Sequence, residues 1–396
     1  MRTLTGALAL PIALALAGCS SEDRQAKTPP PPAPTTPSKA AAATTFDVAA
    51  LLEKADDTAK AGSQWLLKQQ KEDGTFGGPA EVGKAALALS GILASPNAKA
   101  LCDDQAVKKT IAYIASMQQP DGSINTPGEQ GLANYQTSAA ISALVTYDRL
   151  AGTDAHRAIV EKAKGFLLSI QNKEGVDAGS WGYNSDKRGD LSNTQFTLEA
   201  LKQAGLSEDS EAFKNCLAFL QRCQNRSESN DQPWAGNDGG GIYYPGSSKA
   251  GVIKLADGKV IYKSYGSMTY ALLRGYLLVC LKPDDPRVQA AQKWITENYT
   301  LDSNPGMEGD QKLQGLFYYY LSMAKALSLL HSQELTLPDG TKRLWAKDLA
   351  EKIISLQEPD GSWINTAMRW MENDRVLATA YMLSALSECR TILCKP

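Results

Sequence analysis

Apolar residues recur along this chain in short helical stretches of two kinds. Stretches of the first kind carry an apolar face opposite Lys and Glu: "GSQWLLKQQ", "TIAYIASMQQ", "AKGFLLSIQN", "CLAFLQRCQN", "AQKWITENY" and "AEKIISLQE". Those of the second kind are rich in Ala and Leu and nearly free of charge: "VGKAALAL", "TSAAISAL", "TQFTLEAL", "GSMTYALL", "YLSMAKAL" and "TAYMLSAL". A one-sided apolar stripe is typical of a surface helix, whereas a helix without charges is buried on most sides. The pattern therefore predicts helices that alternate between an outer and an inner layer.

A turn motif separates the two kinds of helix in each unit. Residues 70 to 78 read "QKEDGTFGG", residues 118 to 126 read "QQPDGSINT" and residues 357 to 365 read "QEPDGSWIN". Its first position recurs six times, as Gln70, Gln118, Gln171, Gln224, Tyr299 in a degenerate copy, and Gln357. Gly supplies a positive φ and Asp closes the turn. Since one helical pair cannot bury its apolar face alone, six in phase predict an all-α double ring, an (α/α)6 toroid.

The fourth unit contains an insertion, "AGVIKLADGKVIYKSYG". Apolar and polar residues alternate in it on both sides of Asp257 and Gly258. Alternation around an Asp-Gly pair predicts a small β-hairpin. We expect this hairpin to form a flap across one face of the ring.

The repeat resembles a known family. Gln357, Gly361 and Trp363 match the Gln-and-Trp repeat of squalene-hopene cyclases. The wider pattern is similar to the α/α toroid of those cyclases and of the protein prenyltransferase β subunits. "DLSNTQFTLEAL" and "NPGMEGDQKLQGLFYYY" resemble bacterial exported proteins known as prenyltransferase and squalene oxidase repeat proteins. The resemblance implies a toroid domain over residues 46–396.

The first 45 residues predict export and a lipid anchor. An apolar run from Ala7 to Ala17 is too short for a membrane span and is typical of a secretory signal, here residues 1–18. Leu16 to Cys19 resembles the lipobox of bacterial lipoproteins, which implies that Cys19 carries lipid. Residues 19–45 include "TPPPPAPTTP", a spacer composition. Ser20 after the lipidated Cys implies the periplasmic face of the cell envelope, at the outer membrane.

Charge and composition exclude some partners. The net charge is −2 and no basic run is present, so the sequence gives no sign of a nucleic-acid partner. The two histidines, His156 and His331, are too few for a His-based metal site. We therefore expect no metal and no cofactor. A protein partner is left open by the sequence.

The resemblance directs attention to acids before the inner helices. Class II cyclases carry Asp-x-Asp-Asp there, and this chain has Asp190-Leu191-Ser192-Asn193. The zinc-ligand segment of the prenyltransferases corresponds to Leu377–Leu386, in which Ala378 occupies the His position, so zinc chemistry is not expected. The candidate catalytic residues are Asp190 and Asp374.

Aromatic and polar side chains collect at the starts of the inner helices. The candidate ligand-binding residues are Trp181, Tyr183, Asn193, Tyr265, Tyr318, Tyr319, Trp363 and Arg375. An α/α ring must fill or use its centre, so these residues favour a lined cavity. We expect one central cavity to be shared by Asp190, Asn193, Tyr265, Tyr319, Asp374 and Arg375.

Three functions stay open at this point. The chain is a membrane-tethered toroid that binds an apolar or isoprenoid-like molecule or a partner, or an enzyme acting on an isoprenoid or other lipid. A polysaccharide-active enzyme is the third interpretation, since other α/α barrels use rim aromatics and paired carboxylates on sugars.

An exported protein tends to pair its cysteines. In a closed ring the last inner helix lies beside the first, so Cys102 is expected to pair with Cys394 or Cys389. The same logic pairs Cys216 with Cys280. Free buried thiols are the alternative.

Overall fold

The computed structural model describes residues 47–184 and 188–395. The expected signal peptide, lipidated Cys19 and linker lie outside these residues. No helix in the described part of the chain is both long enough and apolar enough to span a membrane.

The described chain is mostly helical, and its helices alternate between an outer and an inner layer. In chain order they are α1 Val48–Gln69, α2 Glu81–Ile92, α3 Ala98–Leu101, α4 Gln105–Ser116, α5 Ala133–Ala151, α6 Arg157–Ser169, α7 Leu191–Gln203, α8 Glu211–Arg222, α9 Gly266–Leu278, α10 Pro286–Glu297, α11 Leu316–Leu329, α12 Trp345–Ser355 and α13 Arg375–Leu393. Helices α2, α5, α7, α9, α11 and α13 form the inner layer, and the short α3 lies in a connection.

The inner helices close into a ring. Each packs against the next inner helix along the chain, and α13 packs against α2. The contact between α13 and α2 is close, since a Cβ atom on Gly91 of α2 would lie 3.0 Å from the Cα atom of Ala380. Small residues therefore let the first and last inner helices meet. The predicted (α/α)6 toroid is confirmed.

Two small β-hairpins lie in the connections between helices. Strands β1 Val252–Lys254 and β2 Val260–Tyr262 pair antiparallel in the predicted insertion. A second antiparallel pair, β3 Leu335–Thr336 and β4 Lys342–Arg343, lies between α11 and α12. This pair was not predicted, because two residues per strand are too few to show an alternating pattern. Single turns of 3-10 helix occur at Gln130–Leu132, Gly309–Gln311 and Arg369–Met371.

The repeated glutamines connect neighbouring outer helices. The Nε2 atom of Gln357 donates to the Thr58 carbonyl at 2.9 Å, which joins the end of α12 to α1. Equivalent bonds run to the next outer helix from the earlier copies: Gln70 to Ala106, Gln118 to Ile159, Gln171 to Ala212 and Gln224 to Arg287. In the degenerate copy the Tyr299 hydroxyl donates to Asp348 of α12. The recurring residue therefore ties each unit to its successor and closes the outer ring.

The glycine of the turn is required by a close approach. Gly361 has a φ of +93°, and a Cβ atom there would lie 2.9 Å from the carbonyl oxygen of Ala61 in α1. A residue with a side chain would be strained at this positive φ, and its Cβ atom would clash with the neighbouring helix. The turn can be this tight because the next outer helix packs directly on it.

The cysteines of the described chain form no disulfide bond across the ring. The six from Cys102 to Cys394 all lie in the described chain and are free thiols. The expected pairs of Cys102 with Cys394 or Cys389, and of Cys216 with Cys280, are therefore not formed. Cys102 follows α3, which packs on α5, and its carbonyl accepts from the Tyr147 hydroxyl. The short α3 thus holds Cys102 against the second inner helix. Cys216 is buried in the core, whereas Cys280 is exposed at the chain surface.

Candidate functional site: a cavity at the N-terminal ends of the inner helices

A cavity of about 300 Å³ opens at one end of the inner ring. Its lining takes a residue from every inner helix, namely Lys84, Tyr135, Ser192, Met268, Tyr318 and Tyr381. Each of these lies in the first half of its helix. We call this space the ring cavity, and the end of the ring on which it opens the mouth face.

The topology explains why all six helices contribute their N-terminal ends. In every unit the chain leaves an outer helix, crosses the mouth face and enters the inner helix. The connections therefore also reach the cavity, through Tyr183, Tyr243, Tyr265, Trp370, Met371 and Glu372. The ring cavity is thus built jointly by helix starts and by the longest loops of the chain.

Aromatic rings form one wall of the ring cavity. Tyr135, Tyr318 and Tyr381 belong to the lining. Phe196 lies outside the lining and packs on two of them, with its ring centroid 4.7 Å from that of Tyr135 and 6.3 Å from that of Tyr318. Tyr381 approaches Tyr318 at 6.2 Å and places its hydroxyl 3.3 Å from that of Tyr135. Burial raises the pKa of Tyr318 to about 12, so the phenol is neutral at physiological pH. The wall offers flat apolar surface with a few hydroxyl groups.

A buried ion network lies deeper in the ring. Glu199 of α7 pairs with Arg274 of α9 at 2.5 Å and with Lys325 of α11 at 2.8 Å. Gln195 accepts from Arg274 and donates to the Tyr318 hydroxyl at 2.7 Å. The network therefore fixes the orientation of a hydroxyl that lines the ring cavity.

Glu372 is a carboxyl that lines the cavity and was not among the predicted site residues. Its side chain is fully buried and accepts hydrogen bonds from the backbone N–H groups of Phe317 and Tyr318 and from the Asn365 amide. It thereby caps α11, whose own N-cap residue Gly315 has no side chain. Burial raises the pKa of Glu372 to about 7, against the lowering effect of these donors. The only sequence signal was its place two residues before Asp374.

Lys84 is the second charged residue of the lining, and it was also missed. Its ammonium group forms a 2.6 Å ion pair with Asp374 and donates to the Gly77 carbonyl. Asp374 caps α13 by accepting from the N–H groups of Val376 and Leu377. In the described lining only Lys84 and Glu372 carry charge, so the ring cavity is mainly apolar.

Asp190 is buried beside the ring cavity. It caps α7, accepting from the backbone N–H of Asn193 at 2.9 Å and from the Asn193 amide at 2.8 Å. Burial raises the pKa of Asp190 to about 6. Tyr183 and Tyr243 line the cavity on this side, with their hydroxyls 3.3 Å apart. A capping carboxyl turns toward its own helix, which explains why Asp190 does not reach the lining.

The structure separates the predicted site residues into two groups. Tyr183, Tyr265 and Tyr318 line the ring cavity. The other candidates lie outside its lining, namely Asp190, Asn193, Asp374, Trp181, Trp363, Tyr319 and Arg375. The expectation of one cavity shared by six named residues therefore holds for Tyr265 and is wrong for Asp190, Asn193, Tyr319, Asp374 and Arg375.

The predicted residues outside the lining make contacts that support the fold. The buried indoles of Trp181 and Trp363 donate to the Leu167 and Ile353 carbonyls of outer helices. Tyr319 donates to the Thr300 carbonyl. Arg375 bonds Asp360 and Ser362 of the preceding turn. These contacts fix the turns and the starts of the inner helices to the outer helices and to each other.

The donor set for a metal is absent from the described residues, which hold no group of three or more His, Cys, Asp or Glu side chains in reach of one ion. With Asp190 and Asp374 outside the lining, Glu372 is the carboxyl that lines the described cavity. A sugar-cleaving pair of carboxylates is therefore not assembled there.

Comparison with known proteins agrees with the architecture. The family model described as "Prenyltransferase alpha-alpha toroid domain" matches residues 42–184 and 182–394. Among curated proteins, drimenyl diphosphate synthase from Streptantibioticus cattleyicolor is 25% identical over 176 residues. That match covers 41% of this chain and about 30% of the length of the synthase.

Solved structures share the fold at low identity. The type II terpene cyclase MstE from Scytonema is 11% identical with a TM-score of 0.55, covering 86% of this chain and 99% of the cyclase. A single-residue variant of that cyclase, solved with geranylgeranyl dihydroxybenzoate as substrate, is 11% identical with a TM-score of 0.56, covering 87% and 99%. A protein from Actinoplanes is 15% identical with a TM-score of 0.53, covering 85% and 99%.

Proposed function

Because this chain belongs to the prenyltransferase alpha-alpha toroid family, we propose that it binds an isoprenoid-like, apolar molecule in the ring cavity. The observation that carries the proposal is a mainly apolar cavity to which all six inner helices contribute. Ligand pockets of proteins are concave, mostly apolar and carry a few placed polar groups, at volumes from about 300 Å³ upward. The ring cavity has this character, with tyrosine hydroxyls, Lys84 and Glu372 as its polar groups.

Relatives support the chemical class of the ligand. A type II terpene cyclase with this fold has been solved with geranylgeranyl dihydroxybenzoate as its substrate. The curated relative is a drimenyl diphosphate synthase. The geranylgeranyl group is an isoprenoid chain and drimenyl diphosphate is an isoprenoid product, and apolar groups of this class suit a wall of stacked aromatic rings.

The binding proposal is tested by filling the ring cavity. Leu87 lines it, and Leu329 is exposed near the opposite end of the ring. We expect wild-type protein and Leu329→Trp to bind geranylgeraniol equally in native mass spectrometry, and Leu87→Trp to bind at least tenfold more weakly. Circular dichroism checks that both variants are folded. Equal binding by Leu87→Trp would mean that the ring cavity is not the site.

We further propose that the toroid is a lipoprotein on the periplasmic face of the bacterial cell envelope, at the outer membrane. The support is the apolar run followed by Leu16, Ala17, Gly18 and Cys19, with Ser20 next. Cys19→Ala should release the protein from the membrane fraction, while the matched variant Cys394→Ala should stay membrane-bound. Retention of Cys19→Ala in the membrane would reject the lipid anchor.

Catalysis is the second candidate function, and Glu372 is the observation that favours it. A buried carboxyl with a pKa raised to about 7 is partly protonated at neutral pH and can act as a general acid. The tyrosine rings of the lining can stabilise a developing cation. Asp190, the remnant of the cyclase motif, does not line the cavity.

The two candidate functions are separated by turnover. Wild-type protein and Glu372→Gln are incubated with squalene and with geranylgeranyl diphosphate, and products are identified by gas chromatography and mass spectrometry. Catalysis predicts cyclised products from wild-type protein and loss of turnover with retained binding in Glu372→Gln. Binding without any product from wild-type protein supports ligand binding without catalysis instead.

A further inference from the structure

The inner helices change from apolar to polar within one turn below the ring cavity. Five of them first contribute an apolar or aromatic side chain, namely Leu87, Ala139, Phe196, Leu321 and Tyr381. Three or four positions later the same helices contribute a polar one, namely Ser90, Ser142, Glu199, Lys325 and Ser384. Arg274 of α9 joins this level through its ion pair with Glu199. We call the six polar residues, one from each inner helix, the axial cluster.

A second space, of about 30 Å³, lies at the axial cluster. It shares only Leu87 and Tyr381 with the lining of the ring cavity. The serines of the axial cluster are half-buried, so solvent reaches this level. A polar space of this size holds one water molecule or one small ion. We call it the axial pocket.

The axial cluster carries one positive charge in excess. Arg274 and Lys325 are its two cations, and Glu199 is its one carboxyl. Burial alone would raise the pKa of Glu199, but the two cations outweigh burial and hold that pKa at about 2. Glu199 is therefore ionised at neutral pH and balances one of the two cations. The next acid along α13, Glu388, lies one turn further and outside the lining.

Three hydrogen-bond donors of the axial cluster lack an acceptor in the described residues. The Lys325 ammonium group has three N–H donors and uses two on Glu199, at 2.8 and 3.0 Å. The hydroxyls of Ser142 and Ser384 have no partner in the described chain. Helices α5 and α13 continue for nine residues beyond these serines. Their C-terminal carbonyl groups are therefore about 13 Å away by helical rise and supply no negative pole here.

We propose that the axial pocket binds one small monovalent anion, a halide or a formate-sized carboxylate, between Lys325, Ser142 and Ser384. Such an anion neutralises the excess charge and accepts from the three free donors. A metal cation would be repelled by Lys325 and Arg274, and an apolar group would leave the donors unpaired. The site does not depend on which molecule occupies the ring cavity.

Bromide locates the site directly, because it scatters X-rays anomalously. Crystals of the full-length protein are grown in sodium bromide, for wild-type protein and for Lys325→Met. We expect a bromide peak within hydrogen-bonding reach of Lys325 and a serine hydroxyl in wild-type protein, and none in Lys325→Met. Water alone in the wild-type pocket, or the same peak in Lys325→Met, overturns the proposal.

Thermal unfolding in solution tests whether the ion stabilises the fold. The unfolding midpoint is measured in sodium chloride and in sodium gluconate at equal ionic strength, since gluconate is too large for the pocket. Chloride should raise the wild-type midpoint by about 2 °C relative to gluconate. Lys325→Met should show no such gain. Lys99→Met, a matched change at an exposed lysine, should gain as much as wild type.

A serine variant keeps the ion network intact. Ser142→Ala combined with Ser384→Ala leaves every charge in place and should lose more than half of the chloride gain. This variant carries the test if Lys325→Met is unfolded by circular dichroism. Equal chloride gains in wild-type protein and in the serine variant overturn the proposal. A bromide peak without selective stabilisation means an adventitious ion only and also overturns it. Binding of geranylgeraniol is not a readout here, so this proposal and the ring-cavity proposal fail separately.

Discussion

Lys84 of the first inner helix and Asp374 at the start of the last form a 2.6 Å ion pair across the seam where the ring closes. The Lys84 side chain is 7% exposed and that of Asp374 is 22% exposed. The same aspartate caps α13. This one pair therefore connects the first and last inner helices, while Asp374 caps α13 and Lys84 lines the ring cavity.

Breaking this pair should be costly because it leaves a buried ammonium without its partner. Asp374→Asn, which keeps a capping side chain, is expected to lower the free energy of unfolding by about 3 kcal/mol. Lys84→Met combined with Asp374→Asn should recover much of that loss. A double-mutant cycle in urea measures the coupling, and a coupling near zero would show that the pair does not stabilise the seam.

The glutamine bridge that closes the outer ring gives a second prediction. Gln357→Leu removes the bonds to the Thr58 and Gly361 carbonyls and should cost about 1–3 kcal/mol of unfolding free energy. Gln333→Leu is the control, because Gln333 is exposed. Urea denaturation measures both variants, and similar small losses would argue against the bridge.

Substitution of two glycines by Ala should distinguish the cost of backbone strain from the cost of a steric clash. Gly122 has a φ of +92° and a Cβ atom there would lie 2.5 Å from the Lys162 carbonyl oxygen. Gly128 has a φ of +86° and open space around the same position. Gly128→Ala should lower the free energy of unfolding by about 1 kcal/mol, because Ala is strained at a positive φ. Gly122→Ala should lower it by about 1–3 kcal/mol more, because its Cβ atom also clashes with the Lys162 carbonyl. Thermal unfolding compares them, and equal losses would contradict the close packing of the turn on α6.

The raised pKa of Glu372 should make the stability of the protein depend on pH. Its pKa is raised from 4.5 to about 7 by burial, so the folded protein holds a proton that the unfolded chain releases. Stability from this group is therefore present below about pH 4.5 and is lost as the pH rises to about 7, by up to about 1.4 kcal/mol per pH unit.

Glu372→Gln removes this titration while the Gln oxygen can still accept from Phe317 and Tyr318. The difference in unfolding free energy between wild-type protein and Glu372→Gln should fall steadily between about pH 5 and pH 7 and then level off. Asp190 contributes equally to both proteins and cancels. A pH-independent difference would mean that Glu372 is ionised throughout.

The repeated pattern of helices and turns is sufficient to predict the ring. Six copies of one helix–turn–helix pattern, with a glutamine and an Asp-Gly turn in phase, require a neighbour on each side, and a closed double ring supplies it. The insertion around Asp257 and Gly258 likewise contained its own alternating pattern. These features are local or periodic, and periodic signals survive in a single sequence.

Which side chains meet inside the ring depends on packing between distant parts of the chain. Asp190 and Asp374 have the sequence positions of catalytic acids, yet each turns to cap its own helix, and Glu372 lines the cavity in their place. The short α3 likewise packs on α5, and the Cys102 carbonyl accepts from Tyr147 of that helix. Such outcomes depend on side-chain direction and on contacts between residues far apart in the chain, as with Lys84 and Asp374. Packing across the closed ring fixes those contacts, and helical periodicity does not record them.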